Sequence, residues 1–277
     1  MNIPNIFILP IILILIVAGI IFYPLIENSI VFHPDRQLDD SPAHWGLFYK
    51  DIQFLTPDGL RLHGWFFPLS EESPVLIFCH GNAGNMSHRI ENVKFLVNKG
   101  ISVFLFSYRG YGKSSGRPSE KGLYIDGIAA YDYLAKVEKI SPGRIAIFGR
   151  SLGGSVAIEV ALQRKATCLI IESTFTSIKD MAKTIPLFFI FSPFLPLHYN
   201  NISKIADVSV PKLILHGEDD NIVPFSMGKA LFEKALEPKL FLPIRGAGHN
   251  DTYVVGGENY LDAIVNFIFP LANIRTE

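Results

Sequence analysis

Gly149-Arg150-Ser151-Leu152-Gly153 follows the apolar run that begins at Arg144 and precedes a helical pattern, so a serine stands two residues from a glycine on either side. A serine exposed at the tip of a sharp strand-to-helix turn can act as a nucleophile, and its strained backbone needs neighbours without a Cβ. The same residues also suit an ordinary strand, a turn and a helix capped by Ser151, so the rest of the chain must discriminate. A serine hydroxyl attacks poorly at neutral pH unless a base takes its proton and an acid orients that base. Carboxylates stand in HGEDDNIVP at 216–224, at Glu218, Asp219 and Asp220, and a histidine, His249, stands in GAGHND at 246–251. Each loop follows an apolar run, and each could meet the serine at the carboxyl ends of adjacent strands. A tetrahedral intermediate also needs N–H donors for its oxyanion. The Leu152 amide is the expected first donor, and the Asn82 amide, in the glycine-bearing stretch Cys79–Asn85, is the expected second. His80 is expected to brace that stretch, not to act as a base.

The elements that must position these residues are legible as apolar runs. Residues 51–55 and 62–67 flank the turn sequence Thr56-Pro57-Asp58-Gly59 and predict an antiparallel hairpin. From Pro74 onward strands are expected at 75–79, 103–108, 144–148, 167–171, 212–216 and 239–243. Helices are expected near 87–98, 121–137, 152–163, 226–235 and from about 257. Continuous Val/Ile/Leu/Phe strands alternating with helices predict an α/β fold, a mostly parallel sheet covered on both faces. The stretch 175–207 is too long for a simple crossover and holds IPLFFIFSPFLPLHYN. It is expected either as a hydrophobic lid over the strand ends or as a core-packed connection.

Ile3 to Ile26 carries no charge over 24 residues, enough for a helix to cross a bilayer. The run is too long for a signal peptide, lacks a basic start and ends in no small-residue cleavage site. The expected organisation is a membrane anchor over 1–27, a juxtamembrane linker over 28–50 and a catalytic domain over 51–277, hence single-pass membrane localisation. The side on which the domain lies stays open, because no Lys or Arg precedes the span and the first after it is Arg36. A net charge of −1 with no basic run excludes nucleic acid as an expected partner. The two cysteines, Cys79 and Cys168, lie in or at the ends of apolar runs and are expected as free buried thiols. With no His-Glu-x-x-His helix, eight singly scattered histidines and no nucleotide-binding glycine pattern, neither metal nor cofactor is expected.

HGNAGN at 80–85, SYRGYGKSSGRPSEKGLYID at 107–126, GRSLGG at 149–154, ESTF at 172–175, HGEDDNIVP and GAGHND resemble the α/β-hydrolase superfamily over nearly the whole chain. Within it the chain is similar to single-span, membrane-anchored hydrolases that include the fungal bud-emergence-related proteins and their bacterial counterparts. Animal protein depalmitoylases resemble it more distantly. The resemblance implies an eight-stranded α/β-hydrolase fold preceded by one transmembrane helix, with Ser151 as nucleophile, His249 as base and Asp220, four residues before the proline of its motif, as acid. Asp219 is the neighbouring alternative. The expected activity is cleavage of a small-molecule or lipid-like acyl ester or thioester through an acyl-enzyme. A peptidase or amidase on the same residues, and a catalytically silent scaffold, are the competing functions. Protein partners are not specified.

Overall fold

A hairpin starts the sheet: β1 (Lys50–Leu55) and β2 (Arg61–Phe67) pair antiparallel around a turn in which Gly59 adopts a φ of 83°, a left-handed angle that a side chain would resist. The computed structural model describes residues 31–185 and 198–274. Six further strands follow: β3 (Val75–Cys79), β4 (Ser102–Ser107), β5 (Ile145–Arg150), β6 (Leu169–Glu172), β7 (Lys212–Gly217) and β8 (Lys239–Ile244). The sheet order is β1-β2-β4-β3-β5-β6-β7-β8, with β2 antiparallel to β4 and every pair from β4 to β8 parallel. All five residues of β3 are buried, because helices cover both faces of the parallel part, and such strands need no polar alternation.

On one face lie α1 (Ile90–Asn98) and α6 (Thr252–Ile274), packed on a core in which Leu76 and Phe78 of β3 meet Ile90, Val93 and Leu96 of α1 and Ile264 and Ile268 of α6. Leu38, Trp45, Leu47 and Tyr49, from the segment before β1, pack against the same core. The other face carries α2 (Glu120–Lys136), α3 (Leu152–Gln163) and α5 (Phe225–Lys234). A Cβ at Gly127 of α2 would run into Val156 and Val160 of α3, so this glycine sets how closely the two helices approach. The sheet's spacing leaves little freedom at its centre, where β3 and β5 are in register from Val75 opposite Ile145 to Cys79 opposite Gly149.

Two differences from expectation have physical causes. The final helix begins at Thr252, about five residues before the expected start, and passes through a kink at Gly257, whose φ of 49° breaks the helical path. Gly256-Gly257 reads as a boundary in the sequence, whereas here it joins two helical segments. Strand β6 begins two residues later than its apolar run, because Thr167 and Cys168 lead into it through loop hydrogen bonds.

Among the described residues no helix is long and apolar enough to cross a membrane. The expected span at 3–26 lies outside them, as does the apolar centre of the 175–207 insertion. The insertion's flanks are described. α4 (Ile178–Thr184) is capped by Ser177, which accepts the Asp180 backbone amide, and the Asn201 side-chain Nδ2 donates to Ser155 Oγ at 2.8 Å and to the Phe175 carbonyl at 2.9 Å. Both cysteines are free and buried.

Candidate active site

β5 ends in a turn so tight that Ser151 takes φ 54° and ψ −119° before α3 begins at Leu152. A non-glycine residue in that region is strained and persists only where its surroundings hold it. They do: the Ser151 amide donates to the Glu172 carbonyl at 2.8 Å, and the Gly154 amide to the Ser151 carbonyl at 3.0 Å. A Cβ on Gly149 would collide with the Gly153 carbonyl and Ala157, and one on Gly153 with the carbonyls of Cys79 and His80. The glycine spacing around Ser151 is therefore enforced by backbone atoms. Gly153→Ala is expected to cost about 1–3 kcal/mol of stability, read as a fall of several degrees in Tm. Gly81→Ala, whose methyl would meet nothing nearer than 3.6 Å, should leave Tm almost unchanged. Equal Tm values for both would contradict this account of the turn.

The sequence-derived site residues converge. His249 Nε2 lies 3.1 Å from Ser151 Oγ, and His249 Nδ1 lies 2.7 Å from Asp220 Oδ2. His249 reaches the serine from the loop after β8, and Asp220 from the loop after β7. Asp219 faces solvent and uses its amide on the Ala247 carbonyl. Burial alone would raise the Asp220 carboxyl. Hydrogen bonds from His216 and His249, with the Val223 amide, more than offset this and hold it well below the usual carboxylate range. It remains a carboxylate at any ordinary pH, and Nδ1–H of His249 donates to it, which leaves Nε2 as the acceptor facing the serine hydroxyl.

The 79–85 stretch abuts the turn: a methyl on Gly81 would sit 3.6 Å from both the Arg150 carbonyl and Ser151 Cβ. Asn82 is half-buried, and its side-chain oxygen accepts Tyr111 OH at 2.9 Å. Leu152, buried, opens α3 directly after the serine. His80 is fully buried, 4.4 Å between ring centroids from Tyr108 and 5.4 Å from Tyr111. Its Nδ1 meets the Gly81 carbonyl at 2.7 Å, and burial pushes its pKa down to about 3, so the ring is neutral. Arg109, between Tyr108 and Tyr111, pins that segment by donating to the buried Asp126 and to Asp58, whose carboxyl it draws down to about 2.

Several residues near the site carried no sequence assignment. His216 Nε2 bonds the Val223 carbonyl at 2.9 Å and approaches Asp220 Oδ2 at 3.4 Å, so it backs the acid. A Cβ on Gly228 would strike the His216 ring, which links α5 to this support. Arg150 and Glu172 form a buried ion pair beside Ser151. Both stand inside motifs quoted from the sequence, GRSLGG and ESTF, and only the β5–β6 register sets them opposite each other. Of groups able to ligate a metal, Asp35, Asp39 and His88 cluster at the surface. His88 Nδ1 accepts the Asn85 amide at 3.1 Å, which leaves Nε2–H to donate to Asp39 at 2.7 Å and no imidazole lone pair for a metal.

A mostly parallel, eight-stranded sheet with a serine at a strained turn after its central strand, met by a histidine and a carboxylate from later strand ends, defines the α/β-hydrolase class. Comparison with known proteins agrees. Residues 74–189 match the family model described as alpha/beta hydrolase fold. The chain is 35% identical over 285 residues to the Arabidopsis thaliana alpha/beta hydrolase domain-containing protein WAV2, covering 92% of this chain and 91% of that one. It is 36% identical over 243 residues to protein bem46 of Schizosaccharomyces pombe, covering 84% and 81% respectively. The Pyrococcus furiosus esterase Pf2001 superposes with a TM-score of 0.73 at 21% identity, covering 86% of this chain and 97% of that one. The chain belongs to the α/β-hydrolase family.

Proposed function

We propose that this chain is a membrane-anchored serine hydrolase that cleaves acyl esters or thioesters through an acyl-enzyme. The observation that carries the reading is the hydrogen-bonded series Ser151 Oγ, His249 Nε2, His249 Nδ1, Asp220 Oδ2, at 3.1 and 2.7 Å. Family membership and an esterase among the structures of like fold support a hydrolase. As Ser151 Oγ attacks the acyl carbon, its proton passes to His249 Nε2, and Asp220 stabilises the imidazolium and holds its tautomer. The amides of Leu152 and Asn82 receive the oxyanion. His249 then protonates the departing alcohol or thiol. It next takes a proton from water as that water attacks the acyl-serine, and gives that proton to Ser151 Oγ as the Oγ–acyl bond breaks and the acid leaves.

Anchoring rests on the uncharged run at 3–26, and the lipid-like substrate on that anchor together with the Phe- and Leu-rich stretch near 187–197. If substrates are amphiphiles presented at a bilayer, each methylene added to the acyl chain contributes about 0.8 kcal/mol on burial, so two carbons should raise kcat/KM by about tenfold until the pocket is full. A chain beginning near Glu27 should keep its rate on soluble esters and lose much of it on vesicle-bound ones, because the anchor supplies local concentration and no reacting group. The test is kcat/KM of full-length and shortened protein against an acetyl-to-palmitoyl series, free and in liposomes. A flat chain-length profile with equal rates on vesicles would discard the lipid-facing part of the reading.

A further inference from the structure

Arg150 precedes the serine and its side chain is buried, with 3% of its surface exposed. Its Nε lies 3.0 Å from Glu172 Oε1, and a terminal guanidinium nitrogen donates to the main-chain carbonyl of His249 at 2.6 Å. Glu172, fully buried at the end of β6, also accepts Thr252 Oγ1 at 2.7 Å and Tyr260 OH at 2.5 Å, both from α6. Its carbonyl receives the Ser151 amide at 2.8 Å. The ion pair therefore sits between the two reacting loops: Arg150, whose own main chain leads into Ser151, holds the His249 carbonyl, and Glu172, whose side chain braces Arg150, also receives the Ser151 amide on its main-chain carbonyl.

A buried pair of opposite charges is poor evidence for stability, since its desolvation cost can exceed its attraction, and apolar or neutral replacements of both partners are often tolerated. What this pair does supply is geometry. His249 follows Gly246-Ala247-Gly248, with Gly246 at a φ of 76°, a stretch whose glycines restrict the backbone little. Asp220 fixes the ring through Nδ1, but a ring fixed at one atom can still shift if its backbone moves. The planar guanidinium lies against a carboxylate at Nε while a terminal nitrogen donates to a carbonyl, two contacts at separate atoms that a single lysine ammonium does not reproduce.

We infer that Arg150 and Glu172 are positioning residues that set the separation of His249 Nε2 from Ser151 Oγ. The inference rests on the reading of Ser151 as nucleophile and His249 as base. A misplacement of about 1 Å between reacting groups can cost about 100-fold in rate. The double variant Arg150→Met with Glu172→Gln removes both charges together, so neither is left buried alone. In the detergent-solubilised full chain it is expected to keep Tm within a few degrees of wild type, lower kcat for a soluble ester by about 10–100-fold and leave KM within about twofold. The rate of fluorophosphonate labelling should fall in parallel with kcat. Arg150→Lys, which retains the charge but not the fork, should fold and show the same fall in kcat with unchanged KM. A folded double variant or a folded Arg150→Lys with kcat within twofold of wild type overturns the inference, as does a loss that appears wholly in KM. Ser151→Ala and His249→Ala are measured beside them. Activity surviving in those would instead overturn the underlying nucleophile and base assignment, so the two failures are distinguishable.

Discussion

Ser151→Ala is expected to abolish both ester hydrolysis and fluorophosphonate labelling, with a loss in kcat on the order of 10⁶, while Tm stays close to wild type. The substitution removes only Oγ. Its Cβ remains, and so do the φ of 54°, the amide bond to Glu172 and the glycines that admit the turn, so the fold loses one hydrogen bond to His249 Nε2. On the proposed mechanism the rate loses its attacking atom, and the acyl-enzyme cannot form. Residual turnover of about 10³–10⁴-fold over water can persist from oxyanion donors and binding alone. Labelling cannot persist in that way, because a covalent adduct needs the oxygen. Retained labelling would place the nucleophile elsewhere, and retained hydrolysis near the wild-type rate would exclude an acyl-serine route.

The contrast between what the sequence discloses and what it conceals has a physical basis. Strands such as Val75–Cys79 and Ile145–Phe148 are buried on both faces, so selection for burial writes a continuous apolar run that can be recognised without a partner. Gly149 and Gly153 are legible for a similar reason: a strained serine and a backbone carbonyl each demand the absence of a Cβ, and only one residue meets that demand. Asp220 and His249 are legible as residue types at strand ends in a fixed order, although the choice between Asp219 and Asp220 needed the motif's spacing. Arg150 and Glu172 are different. An arginine at a turn and a glutamate at a strand end are most often solvated, and their burial follows from the pairing of β5 with β6 and from the position of α6, neither of which leaves a local mark. The same holds for Tyr111 on Asn82 and for His216 behind Asp220. Supporting groups depend on tertiary register, whereas the groups proposed to react carry their chemistry in their identity.

That distinction is sharpest between adjacent acids. Asp220→Asn is expected to lower kcat by about 10⁴-fold, and Asp219→Asn by less than about threefold. The Asp220 carboxylate accepts the amides of Ile222 and Val223 on Oδ1, at 2.9 and 2.8 Å, and His249 Nδ1 on Oδ2. An asparagine that keeps its oxygen toward the two amides must turn its NH₂ to the histidine. Two donors would then face each other unless His249 moves its proton to Nε2, the tautomer that cannot accept the Ser151 hydroxyl proton. Asp219, exposed and held by its backbone, has no such constraint. The pH dependence follows with a definite sign. A carboxyl whose folded pKa lies below its unfolded value stabilises the fold above about pH 4 and loses that contribution as pH falls toward the folded value. Since hydrogen bonding holds Asp220 well below the usual range, wild type should exceed Asp220→Asn in Tm at neutral pH, with the gap narrowing on acidification below about pH 4. Paired kcat and Tm measurements on both variants from pH 3 to 8 test this at two levels. A larger rate loss from Asp219→Asn would shift the acid by one residue, and a stability gap that widens in acid would contradict the depressed carboxyl.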